Sequence, residues 1–236
     1  MHELLEKDRV YAAVDLLFLT VRERRLYLLL SRRENEPCAG YAALPGRMIG
    51  LSESAEETAA VLENEMLPGA GAYMEQLYTF SDVHRDARGR VITIAYFALI
   101  PFQRLERLLP STKMRLYEID TRAEEPVLTD EEGKRLAKSD LAFDHARIIQ
   151  TCINRLKGKI GYTDISLRLL SDDKRFTMVE LEGIFEAVTG QEADKSNFRR
   201  FIRSRFEDSG IITALRQTEK QTRGRPALLY RWNREA

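Results

Sequence analysis

Leu44-Pro45-Gly46-Arg47-Met48-Ile49-Gly50-Leu51-Ser52-Glu53-Ser54-Ala55-Glu56-Glu57-Thr58-Ala59-Ala60-Val61-Leu62-Glu63-Asn64-Glu65-Met66-Leu67 decides how the rest of the chain is read. Pro45, Gly46 and Gly50 force a repeated bend, because only such residues fit tight or left-handed backbone cheaply. Ser52 is positioned to cap a helix, and the acids that follow suit its positive N-terminal end. That helix is predicted to run to about Leu67, where Pro68-Gly69 stops it.

Strand patterns surround this helix. Residues 11–21 and 26–31 are apolar, β-branched or aromatic runs parted by the charged turn Arg22-Glu23-Arg24-Arg25, which predicts a hairpin. Residues 72–83 and 90–101 read as two more strands joined by the polar loop 84–89, and 114–119 as a short one. A stretch rich in Glu, Asp and Pro follows, to about Asp140. Residues 145–157 then place Ile148, Ile149, Cys152, Ile153 and Leu156 on one helical face, ending at Gly158. An early and a late helix around these strands predict an α/β/α sandwich with a mixed sheet over residues 1–158.

Residues 159–236 have another order. After a short turn or helix at 165–170, Thr177 caps a helix with Leu181, Ile184, Phe185 and Val188 on one face, and Gly190 ends it. A basic helix starts at Asp194 or Ser196. A hairpin of 211–215 and Ala227–Trp232 closes around the polar loop 219–226. Helix, turn, basic helix and hairpin make a winged helix-turn-helix. Lys195, Ser196, Asn197, Arg199, Arg200 and Arg203 lie at its groove-entering end, with Arg223 and Arg225 at the wing tip. Asn and Arg can read base edges, Lys and Ser can hold phosphates, and wing arginines reach a phosphate or the minor groove.

Charge supports that division. The 37 basic and 37 acidic residues cancel, yet residues 194–234 hold 11 basic and 4 acidic side chains, as expected where one end meets a polyanion. Hydrophobic residues make up 44% and charged residues 31%, an ordinary globular balance. No apolar run approaches the roughly 20 residues of a membrane span. The first nine residues lack the form of a signal peptide. Cys38 and Cys152 have neither metal-ligand nor disulfide spacing. A cytoplasmic location is the expectation.

The stretch from Leu44 resembles the Nudix box, whose pattern is G-x5-E-x7-R-E-U-x-E-E-x-G-U, U being apolar. Aligned through Glu53 with one residue inserted, the Arg-Glu pair falls on Val61-Leu62 and the Glu-Glu pair on Glu65-Met66. Glu53, Glu57 and Glu65 are vestiges, and one surviving ligand is a poor site for a hard divalent cation. Residues 73–82 and 85–96, Phe143-Asp144-His145, Asp194 to Arg200 and Arg223 to Tyr230 are similar to the Nudix-related transcriptional regulators of NrtR/AraR type. The resemblance spans nearly the whole chain. It implies a degenerate Nudix domain on a winged helix, acting as a homodimeric repressor. Such a regulator would bind double-stranded operator DNA, sense ADP-ribose or a pentose, and need no cofactor or metal.

Effector contacts are expected from Asp15, a carboxylate in an apolar strand that must be paired or ligand-bound. Arg47 follows Pro45-Gly46, and His84, Arg85 and Arg90 surround a loop where phosphate or sugar donors would serve. Two other classes stay open. One is a Mg²⁺-dependent hydrolase of a nucleotide-sugar diphosphate using Glu53, Glu57, Glu63 or Glu65. The other is a winged helix that contacts protein.

Overall fold

The computed structural model describes residues 9–125, 127–219 and 226–234. Strand β1 (Tyr11–Arg22) is central and buried along most of its length because helices cover both faces of its sheet. It runs parallel to β6 (Val91–Leu99) and antiparallel to β2 (Arg25–Arg32). Between β1 and β2, Glu23 and Arg24 take φ of 50° and 63°, the two-residue geometry that matches strand twist. β5 (Tyr73–Phe80) flanks β6. On the other side of β2 stand β7 (Arg115–Asp120), β8 (Val127–Asp130) and β9 (Arg135–Leu136). β3 (Ala42–Ala43) pairs with β2 and β4 (Gly46–Met48) with β1.

Alternation in β1 divides the core. Val14, Leu16 and Phe18 meet Leu62 of α1 (Ala55–Met66) and Leu105 of α2 (Phe102–Leu108). Leu17 and Leu19 face Ile149, Cys152, Ile153 and Leu156 of α3 (His145–Ile160). This is the predicted α/β/α sandwich with a mixed sheet. Three local expectations change. α1 is capped by Ser54, not Ser52, because Ser54 and Glu57 close a reciprocal capping box at 3.1 and 2.8 Å. α3 runs through Gly158, since a helical glycine costs only about 1 kcal/mol and Ile160 gains burial. The acidic stretch before Asp140 contains the β8–β9 hairpin, and α2 follows β6; both are too short to show a period.

The C-terminal part orders β10 (Phe176–Thr177), α4 (Met178–Thr189), α5 (Lys195–Ile202) with a π turn Arg203–Glu207, and the β11 (Ile212–Glu219) and β12 (Ala227–Trp232) hairpin. Thr177 caps α4, and Gly190 ends it at φ 73°. Phe185, Phe198, Phe201 and Phe206 form edge-to-face contacts between 5.1 and 6.3 Å, holding α5 on α4.

Candidate functional site

Asp15 is paired in register with Gly46 of β4. A Cβ on Gly46 would collide with Asp15 Oδ1 and stand 3.0 Å from the Val14 carbonyl, so only glycine lets β4 approach. The adjacent cleft, about 190 Å³, is bounded by Asp15, Arg47, Arg85, Arg88, Phe143 and His145. Arg85 is almost wholly buried and bridges two elements. Its Nη2 donates to Asp15 Oδ2 at 3.1 Å and to Asp144 Oδ1 at 2.8 Å, and its Nε donates to Asp144 Oδ2 at 3.1 Å. Burial works against the guanidinium charge, but Asp144 and then Asp15 outweigh it and raise its pKa above the ordinary arginine value.

His145 completes the cluster. Its Nδ1 accepts the Leu44 backbone N–H at 3.0 Å, so the neutral ring carries its proton on Nε2, 3.7 Å from Asp15 Oδ1. Burial depresses its pKa below 6.5, opposed by Asp15 and Asp144. Between the folded and unfolded pKa values the unfolded chain binds more protons. Stability from this group is therefore full above pH 6.5 and is lost as pH falls toward the folded value. Denaturation midpoints compared at pH 7.5 and about 5.5 should fall in the native protein, with a shallower fall in His145→Asn. Equal slopes in both proteins would refute this role.

Arg47 lies between the residual carboxylates of the helix region, with Nη2 3.2 Å from Glu53 and Nη1 3.2 Å from Glu65. Glu53 also accepts from Thr58 Oγ1 at 3.1 Å. Glu57 is committed to the cap. Among the described residues no group of three or more His, Cys, Asp or Glu is arranged to share a metal ion. Asp15, Arg47 and Arg85 thus converge on the cleft, whereas His84 and Arg90 do not line it. His84 is exposed, and Arg90 Nη1 is used on the Ser81 and Asp82 carbonyls, both at 2.8 Å. Sequence reasoning missed Arg33, Arg88 and Phe143. The two guanidinium carbons lie 4.7 and 5.6 Å from the Phe143 ring centroid, and Phe143 sits at φ 51°, an uncommon conformation for a bulky residue. The sequence Phe143-Asp144-His145 was the available signal.

The nucleic-acid candidates occupy a second surface. The Asp194 side chain accepts the Asn197 N–H at 2.8 Å and starts α5. Lys195, Ser196, Asn197, Arg199, Arg200 and Arg203 are all exposed, while Phe198 and Ile202 are buried. Arg200 donates to Asn197 Oδ1 at 3.1 Å. Arg199 and Arg203 flank a shallow cleft against Leu228 and Tyr230 of β12, so helix and wing share one face. Arg223 and Arg225 lie outside the described residues.

Residues 169–232 match the family model of the NrtR DNA-binding winged helix domain. Over 222 residues the chain is 32% identical to the ADPR responsive transcriptional repressor NtrR of Acinetobacter baylyi, covering 93% of this chain and 80% of the relative. Shewanella oneidensis NrtR, crystallised with a 27mer DNA, superposes with a TM-score of 0.76 at 28% identity over 94% of this chain and 93% of its own. A MutT/nudix family protein from Enterococcus faecalis shares the fold, with a TM-score of 0.74 at 24% identity over 98% and 90% of the two chains. With a Nudix-like sandwich and a winged helix whose α5 turns its basic side chains outward, the chain belongs to the NrtR family of Nudix-related transcriptional regulators.

Proposed function

We propose that this protein is a repressor that grips operator DNA as a homodimer and releases it when ADP-ribose enters the Nudix-like cleft. Residues 1–158 sense and residues 159–236 bind DNA in this reading. Arg47 is the observation that carries it. A hydrolase of this fold would set several carboxylates around Mg²⁺ to hold a diphosphate and activate water. Here Leu62 and Met66 stand where the box has glutamates and Val61 where it has arginine, and a guanidinium lies against Glu53 and Glu65. That guanidinium takes up the two carboxylates a Mg²⁺ ion would need, and it generates no nucleophile. The ligand is held and not cut.

The description of the Acinetobacter relative favours ADP-ribose over a pentose. The cavity is small beside the roughly 300–1,000 Å³ of drug-sized pockets, so it encloses one end of such a ligand. The remainder would extend past Arg33 and Arg88. Two contacts connect the sandwich with the DNA-binding half. α3 has His145 in the cleft and packs against α4 further along. The β1–β2 turn places Arg24 Nη2 2.6 Å from Glu186 and 3.5 Å from Glu182, both on α4. Gly183 admits that arginine, since a Cβ there would meet its Cγ at 3.1 Å. A ligand that binds one placement of α3 better than another shifts the winged helices relative to their half-sites.

A gel shift with promoter DNA, repeated with ADP-ribose and with arabinose, tests the proposal. DNA should be bound alone, released by ADP-ribose and retained with arabinose. Incubation with ADP-ribose and Mg²⁺ should release no AMP. Steady AMP release that is abolished by Glu65→Gln would instead make the chain a hydrolase.

A further inference from the structure

A larger cavity, about 670 Å³, opens elsewhere on the sandwich and shares no lining residue with the Nudix-like cleft. Its floor is set by strand register. Arg115 is opposite Leu30 and Tyr117 opposite Leu28, so Leu30, Arg32, Arg115 and Tyr117 share one face of the sheet. That is the face α3 covers further along, where Leu28, Leu30 and Ile119 join the core. Tyr41 and Lys134 stand at its rim, in the loop before β3 and in the turn between β8 and β9.

Charge in this groove is not balanced from within. Lys113 is matched by Glu34 at 2.8 Å, and Asp140 accepts the Ala137 N–H at 3.1 Å. The side chains of Arg32, Arg115 and Lys134 make no hydrogen bond or ion pair with any described residue, and neither do the hydroxyls of Tyr41 and Tyr117. Three unmatched cations around two tyrosine rings, in a cavity of nucleotide size, call for an anion that also carries a flat apolar part. Aliphatic carboxylates and inorganic phosphate satisfy the first condition and not the second. A base stacked on tyrosine satisfies both once phosphates meet the arginines.

We infer that this groove is a nucleotide site, taking a nucleoside polyphosphate with its phosphates on Arg32, Arg115 and Lys134 and its base against Tyr117 and Tyr41. It operates beside the ADP-ribose cleft and does not depend on that reading. Calorimetric titration of the full chain with ATP, the cleft presaturated with ADP-ribose, is the test. One ATP should bind per chain. Arg32→Ala with Arg115→Ala should weaken binding at least about tenfold, and Tyr117→Leu by roughly threefold or more. Inorganic triphosphate should bind at least about tenfold more weakly than ATP, since it has no base to stack. Arg199→Ala with Arg203→Ala should bind ATP as the native chain does, which excludes capture by the DNA surface. The inference is overturned if ATP does not bind, if ADP-ribose displaces it, if triphosphate binds equally well, or if the Arg32 and Arg115 changes leave it untouched. It is overturned as well if those changes convert a dimer to monomers while ATP still binds, because the groove is then an interface between copies.

Discussion

Arg85→Ala is expected to destabilise the folded protein by about 3–5 kcal/mol, the usual cost of removing one partner from a buried ion cluster. The guanidinium is 4% exposed, and its partners Asp15 and Asp144 are 11% and 15% exposed. Without it two carboxylates remain facing each other and His145, with little water to solvate them. Arg85→Lys should recover only part of the loss, because an ammonium lacks the planar fork that reaches both carboxylates. Adding Asp15→Asn to Arg85→Ala should restore stability, because it removes one of the stranded charges. Chemical denaturation of the four proteins measures this. A loss under about 1 kcal/mol for Arg85→Ala would mean water already reaches the cluster and the cleft's walls are not held as described.

The second large effect concerns DNA. Replacing both Arg199 and Arg203 with alanine should weaken operator binding by at least about thirtyfold, at roughly 1 kcal/mol or more for each arginine removed. Both side chains are exposed, so the melting transition should hardly move. Salt titration separates two ways of touching DNA. If both arginines sit on phosphates, the slope of log K against log salt shrinks by nearly two; if they read bases, discrimination between operator and random DNA collapses while the slope changes less. Unchanged affinity in the double variant would remove α5 from the groove and leave a winged helix that contacts protein.

Much of the architecture was legible because it rests on local chemistry. Thr177, Asp194 and Gly190 mark helix ends by what their own side chains or φ permit. That Val61, Leu62 and Met66 stand where the Nudix pattern has Arg and Glu is read from residue identity alone. The outward face of α5 follows from 3.6-residue spacing once Phe198 and Ile202 are inside. Ser52 in place of Ser54 is the kind of slip that occurs where two caps compete within one turn. The short elements α2, β8 and β9 escaped because few residues carry no period.

The sequence alone determined the Nudix-like sandwich followed by a winged helix, the departures of the early helix from the Nudix pattern and the basic face of α5, since each is written in neighbouring residues. It also showed that Asp15 must be paired with something. Only the tertiary structure decided with what: Arg85, 70 residues away, arrives at 3.1 Å because β1 and β6 run parallel and α3 begins beside them. The same holds for Arg47 between Glu53 and Glu65, for Phe143 under two arginines and for the groove walled by Arg32 and Arg115. Sequence spacing encodes the geometry within one helix or strand. Distances between elements come from sheet register and core packing, which depend on many side chains at once.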